Sequence, residues 1–328
     1  MSTAVSIREV LANVLIVALF LAIPLGAVLL DEPFHLTLAT RIVILALAAT
    51  GLNIALGLGG LVSFGHAAFF GLGGYTVGIF AAHALNMEPL VFGLPATQSM
   101  PVIAVVAVAV AALVALPISA ISLRTSGVYF IMITLAFAQM IYFFAVSWPA
   151  YGGEDGLPMA LRNAFPLVNT AKPLPFFLVC LAVLAAALVL FWLIRGSRFG
   201  AALQAGRQNA TRLAAVGISP FGIRLAAFVI SAAVAALAGV LFANLNRFAS
   251  PSMLSWQMSG ELIVLIVLGG KDRLLGPLAG AMLYVFLEYT LGGLTERWQF
   301  FLGLILLGVV LFARGGLLGL LAGRPRNG

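Results

Sequence analysis

Few side chains in this chain of 328 residues can do chemistry, and several of them stand beside glycine. The run 51–78 reads Gly51-Leu52-Asn53, Gly57-Leu58-Gly59-Gly60, Ser63-Phe64-Gly65-His66 and Gly71-Leu72-Gly73-Gly74-Tyr75. Asn53, Ser63 and His66 are candidate polar liners of a path through apolar surroundings. No second histidine or carboxylate stands at ligand spacing from His66, which argues against a metal site. His66 reads either as a liner or proton relay, or as a helix-start residue with a satisfied hydrogen bond. Glu261, in Ser259-Gly260-Glu261-Leu262, is an ionisable group inside an apolar segment, a placement that is costly and often functional. Its other reading is solvation near an interface or pairing with Arg247. Glu288 is a weaker instance of the same kind.

Several chemistries leave no trace. Lys271 follows glycine but precedes aspartate, so the GxxxxGK[ST] phosphate loop is absent. No GxGxxG opens a βαβ unit, no GxSxG elbow occurs and no HExxH helix appears. A catalytic constellation of nucleophile and base is missing, which argues against an enzyme. If ATP drives this protein, another chain hydrolyses it.

The elements that carry these residues follow from composition. Hydrophobic residues make up 63% of the chain and charged residues only 8%, where a soluble domain has about a quarter charged. Too little polar surface exists to face water, so the fold class is all-α, a polytopic integral membrane protein. A β-barrel would show short alternating segments instead. Ten spans are expected, at about 10–30, 41–58, 65–86, 101–121, 127–147, 174–194, 225–245, 256–269, 276–292 and 298–313. The stretch 10–30 is too long for a signal peptide and reads as a retained first span. The single cysteine, Cys180, rules out a disulfide framework.

Lipid cannot satisfy freed backbone groups, so the glycine-rich run 51–78 either forms a broken helix facing a conduit or lets helices approach closely. A similar break, Leu268-Gly269-Gly270 before Gly276, echoes Gly57–Gly60 before Gly65, and leaves internal duplication open. The expected domain organisation is one transmembrane domain over 1–328. It has a glycine-rich external loop at 148–173 and a basic loop at 195–224.

That basic loop carries Arg195, Arg198, Arg207, Arg212 and Arg224 and no acidic residue. With the N-terminus inside, the inner segments collect twelve basic residues and the outer ones five. The positive-inside rule then sets both termini and the 195–224 loop in the cytosol. In such a chain a net charge of +7 reports topology, not nucleic acid.

Gly51-Leu52-Asn53-Ile54-Ala55-Leu56-Gly57 and Ser63-Phe64-Gly65-His66-Ala67-Ala68-Phe69-Phe70-Gly71 resemble branched-chain amino acid ABC importer permeases of the LivM type. So do Gly127-Val128-Tyr129-Phe130, Thr134 to Gln139, Gly152-Gly153-Glu154-Asp155-Gly156-Leu157, Ser197-Arg198-Phe199-Gly200 and Gly276-Pro277-Leu278-Ala279-Gly280-Ala281. The resemblance implies a permease in the bacterial inner membrane, partnered by a second related permease chain, two ATPase subunits and a periplasmic substrate-binding protein. It implies no cofactor bound by this chain, ATP being used by the partners. It also places the ATPase-coupling segment at Gly206, Arg207, Gln208 and Asn209 through Ala215, Gly217 and Ile218. Relatives usually carry acidic residues after the arginine, where Gln208, Asn209 and Ala210 stand here. Urea and short-chain amide permeases look alike, and an ion-coupled secondary carrier would need Glu261, Glu288 or His66 as coupling groups.

Overall fold

The computed structural model of the protein describes residues 7–29, 32–87, 89, 96–166, 168–312 and 315–322. Arg314, Arg324 and Arg326, counted among the inner basic residues above, lie outside the described residues. Thirteen α-helices occur among the described residues, and all ten expected spans are helical. They are α1 (Ile7–Leu29), α2 (Pro33–Asn53), α3 (His66–Asn86), α4 (Met100–Ser122) and α5 (Val128–Val146). Next come α6 (Pro173–Gly196), α9 (Pro220–Asn246), α10 (Trp256–Gly269), α11 (Gly276–Leu294) and α12 (Trp298–Phe312). Two short helices, α7 (Arg198–Gln208) and α8 (Ala210–Ala215), fill the basic loop, and α13 (Gly316–Ala322) ends the described chain.

Among the described residues, eight helices are long and apolar enough to cross a membrane. α10 and α12 are shorter, at 14 and 15 residues. At 1.5 Å per residue α10 covers about 21 Å, less than a hydrocarbon core of about 30 Å. The approach to α10 is irregular: a strand at Phe248–Ala249, then a 3-10 turn at Pro251–Leu254. Met253 and Leu254 are buried, against Gly74 and Gly71 of α3. Non-helical backbone is thus wrapped in protein.

α2 is the axis of the bundle. From Ile42 onward every one of its residues is buried, including the π-helical turn Ile54–Leu58 that continues it. It packs against α6, α9, α10 and α11, while α9 also carries α3 and α4. Close crossings rest on glycine: a Cβ on Gly73 would overlap the Ala236 carbonyl, and one on Gly239 would overlap the Phe70 carbonyl.

The two long loops sit at opposite ends of α9. Arg224, near its start, donates to the Gly206 carbonyl at 2.7 Å, tying down the basic loop. Near its other end, Asn244 Oδ1 accepts from the Asn163 N–H at 2.8 Å, and Leu157–Pro158 pairs antiparallel with Phe248–Ala249. The 148–173 segment is therefore a folded cap, turned by Gly152, Gly153 and Gly156 at positive φ as their clustering predicts.

Candidate functional site

The basic loop folds because its polar residues cap its helices. Ser197 Oγ accepts from the Gly200 N–H at 3.1 Å and starts α7. Asn209 breaks the helix with extended backbone, and its Oδ1 accepts from the Arg212 N–H at 2.9 Å to start α8. An asparagine caps a helix about as well as an aspartate, so the uncharged residue keeps the local fold without the acid expected there. Gly206 is buried where α7 and α8 meet, facing Leu213. Gln208 and Ala215 are exposed; Gly217 turns the chain at φ +81°, and Val216 and Ile218 stand exposed beside it.

The five arginines divide into two sets. Arg195, Arg198 and Arg212 are exposed, with no side-chain hydrogen bond or ion pair among the described residues. Arg224 and Arg207 turn inward. Arg207 Nη1 donates to the Gly57 carbonyl, at the end of the π-helical turn, and to both oxygens of Asp272 at 3.0 and 3.1 Å. Gly60, at φ +68°, lies under the Arg207 side chain, where a Cβ would come within 2.9 Å of Arg207 Cγ. One guanidinium therefore joins α7 to the α2–α3 break and to the α10–α11 turn. The two glycine-rich breaks that echo each other in sequence meet at this residue.

Asn53 is fully buried and reinforces the same junction, its Nδ2 donating to the Arg273 carbonyl at 3.4 Å. Past Gly59 the chain is irregular, with Gly60 at positive φ and a turn at Phe64–Gly65, until His66 starts α3. Ser63, also buried, accepts the Gly65 N–H at 3.1 Å. Ser259 of α10 donates to the Phe64 carbonyl and accepts from the Ala67 N–H, capping α3 from another helix. Ser259 lies ten residues before Gly269, so α3 starts about 15 Å in from that end of α10. The run 51–78 is therefore helix to Leu58, reversal at 59–65, then helix again.

His66 is fully buried, edge-on to Phe69 and Phe228. Ser231 Oγ donates to the Gly51 carbonyl at 2.6 Å, which leaves it an acceptor for His66 at 2.7 Å. That order makes His66 Nε2 the donor. Replacing Ser231 with alanine strips both partners and is expected to cost about 1–3 kcal/mol, read as a lower unfolding temperature in detergent. Ser231 itself was invisible in the sequence, one small residue in an alanine-rich helix, 165 positions from its partner.

Glu261 does not pair with Arg247. It lies beside Tyr284, near Arg41 and Glu288; Arg41 Nη2 contacts Glu288 Oε1 at 2.9 Å. The fixed register of α10 against α11 carries Glu261 to Tyr284. Asp272 was also missed as a partner, although it stands between Lys271 and Arg273 as one of few acids on the basic side.

A family model described as branched-chain amino acid transport system / permease component matches residues 34–310. The high-affinity branched-chain amino acid transport system permease protein LivM of Escherichia coli (strain K12) is 27% identical over 305 residues, covering 86% of this chain and 69% of that protein. LivM of Salmonella typhimurium is similar to the same extent. The autoinducer 2 import system permease protein LsrC of Yersinia pseudotuberculosis serotype O:1b is 32% identical over 173 residues, covering 49% of this chain and 48% of that protein. No solved structure matches the chain.

Proposed function

Because the chain belongs to the family of permease components of branched-chain amino acid transport systems, we propose that it is the transmembrane subunit of an ATP-driven importer of branched-chain amino acids in the bacterial inner membrane. A second related permease chain completes the pathway, two ATPase subunits supply the work and a periplasmic binding protein delivers the substrate. The 195–224 loop faces the cytosol with both termini and docks on an ATPase. Asn53, Ser63, His66 and Glu261 belong to the moving core that borders the path. The observation that carries this reading is the Arg207 junction, which links a docked α7–α8 unit to the Gly57 carbonyl and Asp272, hence to the ends of α2 and α10. LivM is matched over most of this chain and LsrC over half of it, which favours an amino acid over the LsrC type of solute.

The test is uptake by proteoliposomes holding this chain, its partner permease and both ATPases. Radiolabelled leucine is expected to enter only with binding protein outside and ATP at the face carrying 195–224. Uptake of urea in place of leucine would reassign the substrate. Uptake by this chain alone under a pH gradient would replace the importer with an ion-coupled carrier.

A further inference from the structure

The far end of the bundle holds a polar cluster with no task in the coupling of ATP. Arg41 of α2 pairs with Glu288 of α11 at 2.9 Å, and Glu261 of α10 and Tyr284 of α11 lie near that pair. Arg41 is eight residues from Pro33, Glu261 five from Trp256 and Glu288 six from Leu294, so each lies about 8–12 Å inside its helix end. Sixteen residues of α2 separate Arg41 from Gly57, about 24 Å from the Arg207 junction.

The cluster is incompletely satisfied, and in both senses. A guanidinium has five N–H donors, and Arg41 spends one on Glu288 while its side chain stays 35% exposed. Glu288 Oε2 is buried without a hydrogen-bond partner. Two carboxylates face one cation. A half-satisfied polar network in low dielectric is costly, and ionisable groups at this depth persist where they serve a path. A zwitterion fits both ends of this network, an anion for the spare donors and a cation for the spare carboxylate oxygens. Beside it stand Phe34 and Tyr289, half exposed, their rings 5.7 Å apart, an apolar surface for an aliphatic side chain.

Resting on the importer reading, we propose that Arg41, Glu261 and Glu288 form a subsite for the zwitterionic head of an α-amino acid. Arg41 takes the carboxylate and Glu261 with Glu288 the ammonium, Tyr284 stands beside Glu261, and Phe34 and Tyr289 take the side chain. The site is the first polar station for a substrate entering at the end opposite the basic loop.

The experiment measures leucine uptake by the reconstituted full importer for wild type, Glu261→Gln, and the double variant Arg41→Glu with Glu288→Arg. The double variant keeps an ion pair between α2 and α11 while reversing its field. The expected result is an uptake KM raised roughly tenfold or more in Glu261→Gln, about 1.4 kcal/mol. The double variant is expected to unfold near the wild-type temperature yet remain defective in uptake. Recovery of uptake by the double variant would reduce the pair to a structural link and overturn the subsite, as would an unchanged KM in Glu261→Gln. Should Glu261→Gln fail to assemble, Glu261→Asp replaces it, with a raised KM expected and an unchanged one again fatal. Failure of the importer reading shows separately, as absence of leucine uptake by wild type.

Discussion

On the proposed importer reading, Arg207→Ala is expected to yield a permease that inserts and still binds its ATPases, while ATP-driven leucine uptake falls by roughly tenfold or more, the loss that goes with a coupling free energy of about 1–3 kcal/mol. The side chain makes no contact that the membrane-crossing helices need in order to fold. It links a peripheral helix pair to two helix ends, through Gly57 and Asp272. Removing it leaves the Arg224–Gly206 bond and buried Leu203 as ties of α7 and α8 to the core, but breaks the direct link to the ends of α2 and α10. Two companions sharpen the result. Arg207→Lys keeps the charge, but its ammonium ends one atom short of the Nη1 that makes all three contacts, so partial uptake is expected. Asp272→Asn tolerates the backbone at φ +68° and keeps the Gly57 bond, so it should fall between Lys and wild type. ATPase activity measured with uptake in the same vesicles reads the effect as extra ATP spent per leucine carried; wild-type stoichiometry in Arg207→Ala would remove the junction from the coupling path.

Gly239→Leu is expected to abolish the folded protein. Its Cβ would overlap the Phe70 carbonyl, and Gly73 meets Ala236 in the reciprocal way, so α3 and α9 touch backbone to backbone. A side chain facing another side chain can change rotamer. One facing a carbonyl must push a helix, and overpacking already costs about 1–3 kcal/mol where relief is possible. Here α9 is also held by α2 and α4, which blocks the shift. Gly303→Leu is the control, since a Cβ there meets nothing within 4 Å; it should stay within about 0.5 kcal/mol of wild type. The readout is membrane accumulation and unfolding temperature in detergent. Equal accumulation of the two variants would contradict the close crossing.

The helices were legible because a chain in lipid must satisfy its backbone within each segment, and a run of apolar residues then has few choices. Lengths were less legible. The segment 256–269 reads as a span by hydropathy, yet it is a short helix whose crossing begins with buried irregular chain at 248–255. The basic loop was visible as charge, but its division at Asn209 and the inward turn of Arg207 were not, since Gly57 lies 150 positions away. His66 showed only its type; its partner Ser231 carries no pattern. Glu261 stood out as a charge in apolar sequence, and the nearer Arg247 suggested itself, whereas helix register chose Tyr284. Long-range polar pairing depends on how helices rotate against one another, and the periodicity of an almost wholly apolar chain barely records rotation.

The burial of α2 bears on how the protein is made. It is among the earliest helices to leave the ribosome, but α6, α9, α10 and α11, which enclose it, follow from residue 173 onward. Until they arrive, the helix that ends as the bundle's axis has only lipid and its early neighbours around it, with Arg41 lacking Glu288, 247 positions downstream. Final packing waits for nearly the whole chain. A nascent permease cut short after α5 would leave its central helix unsheathed, a ready mark for membrane proteases.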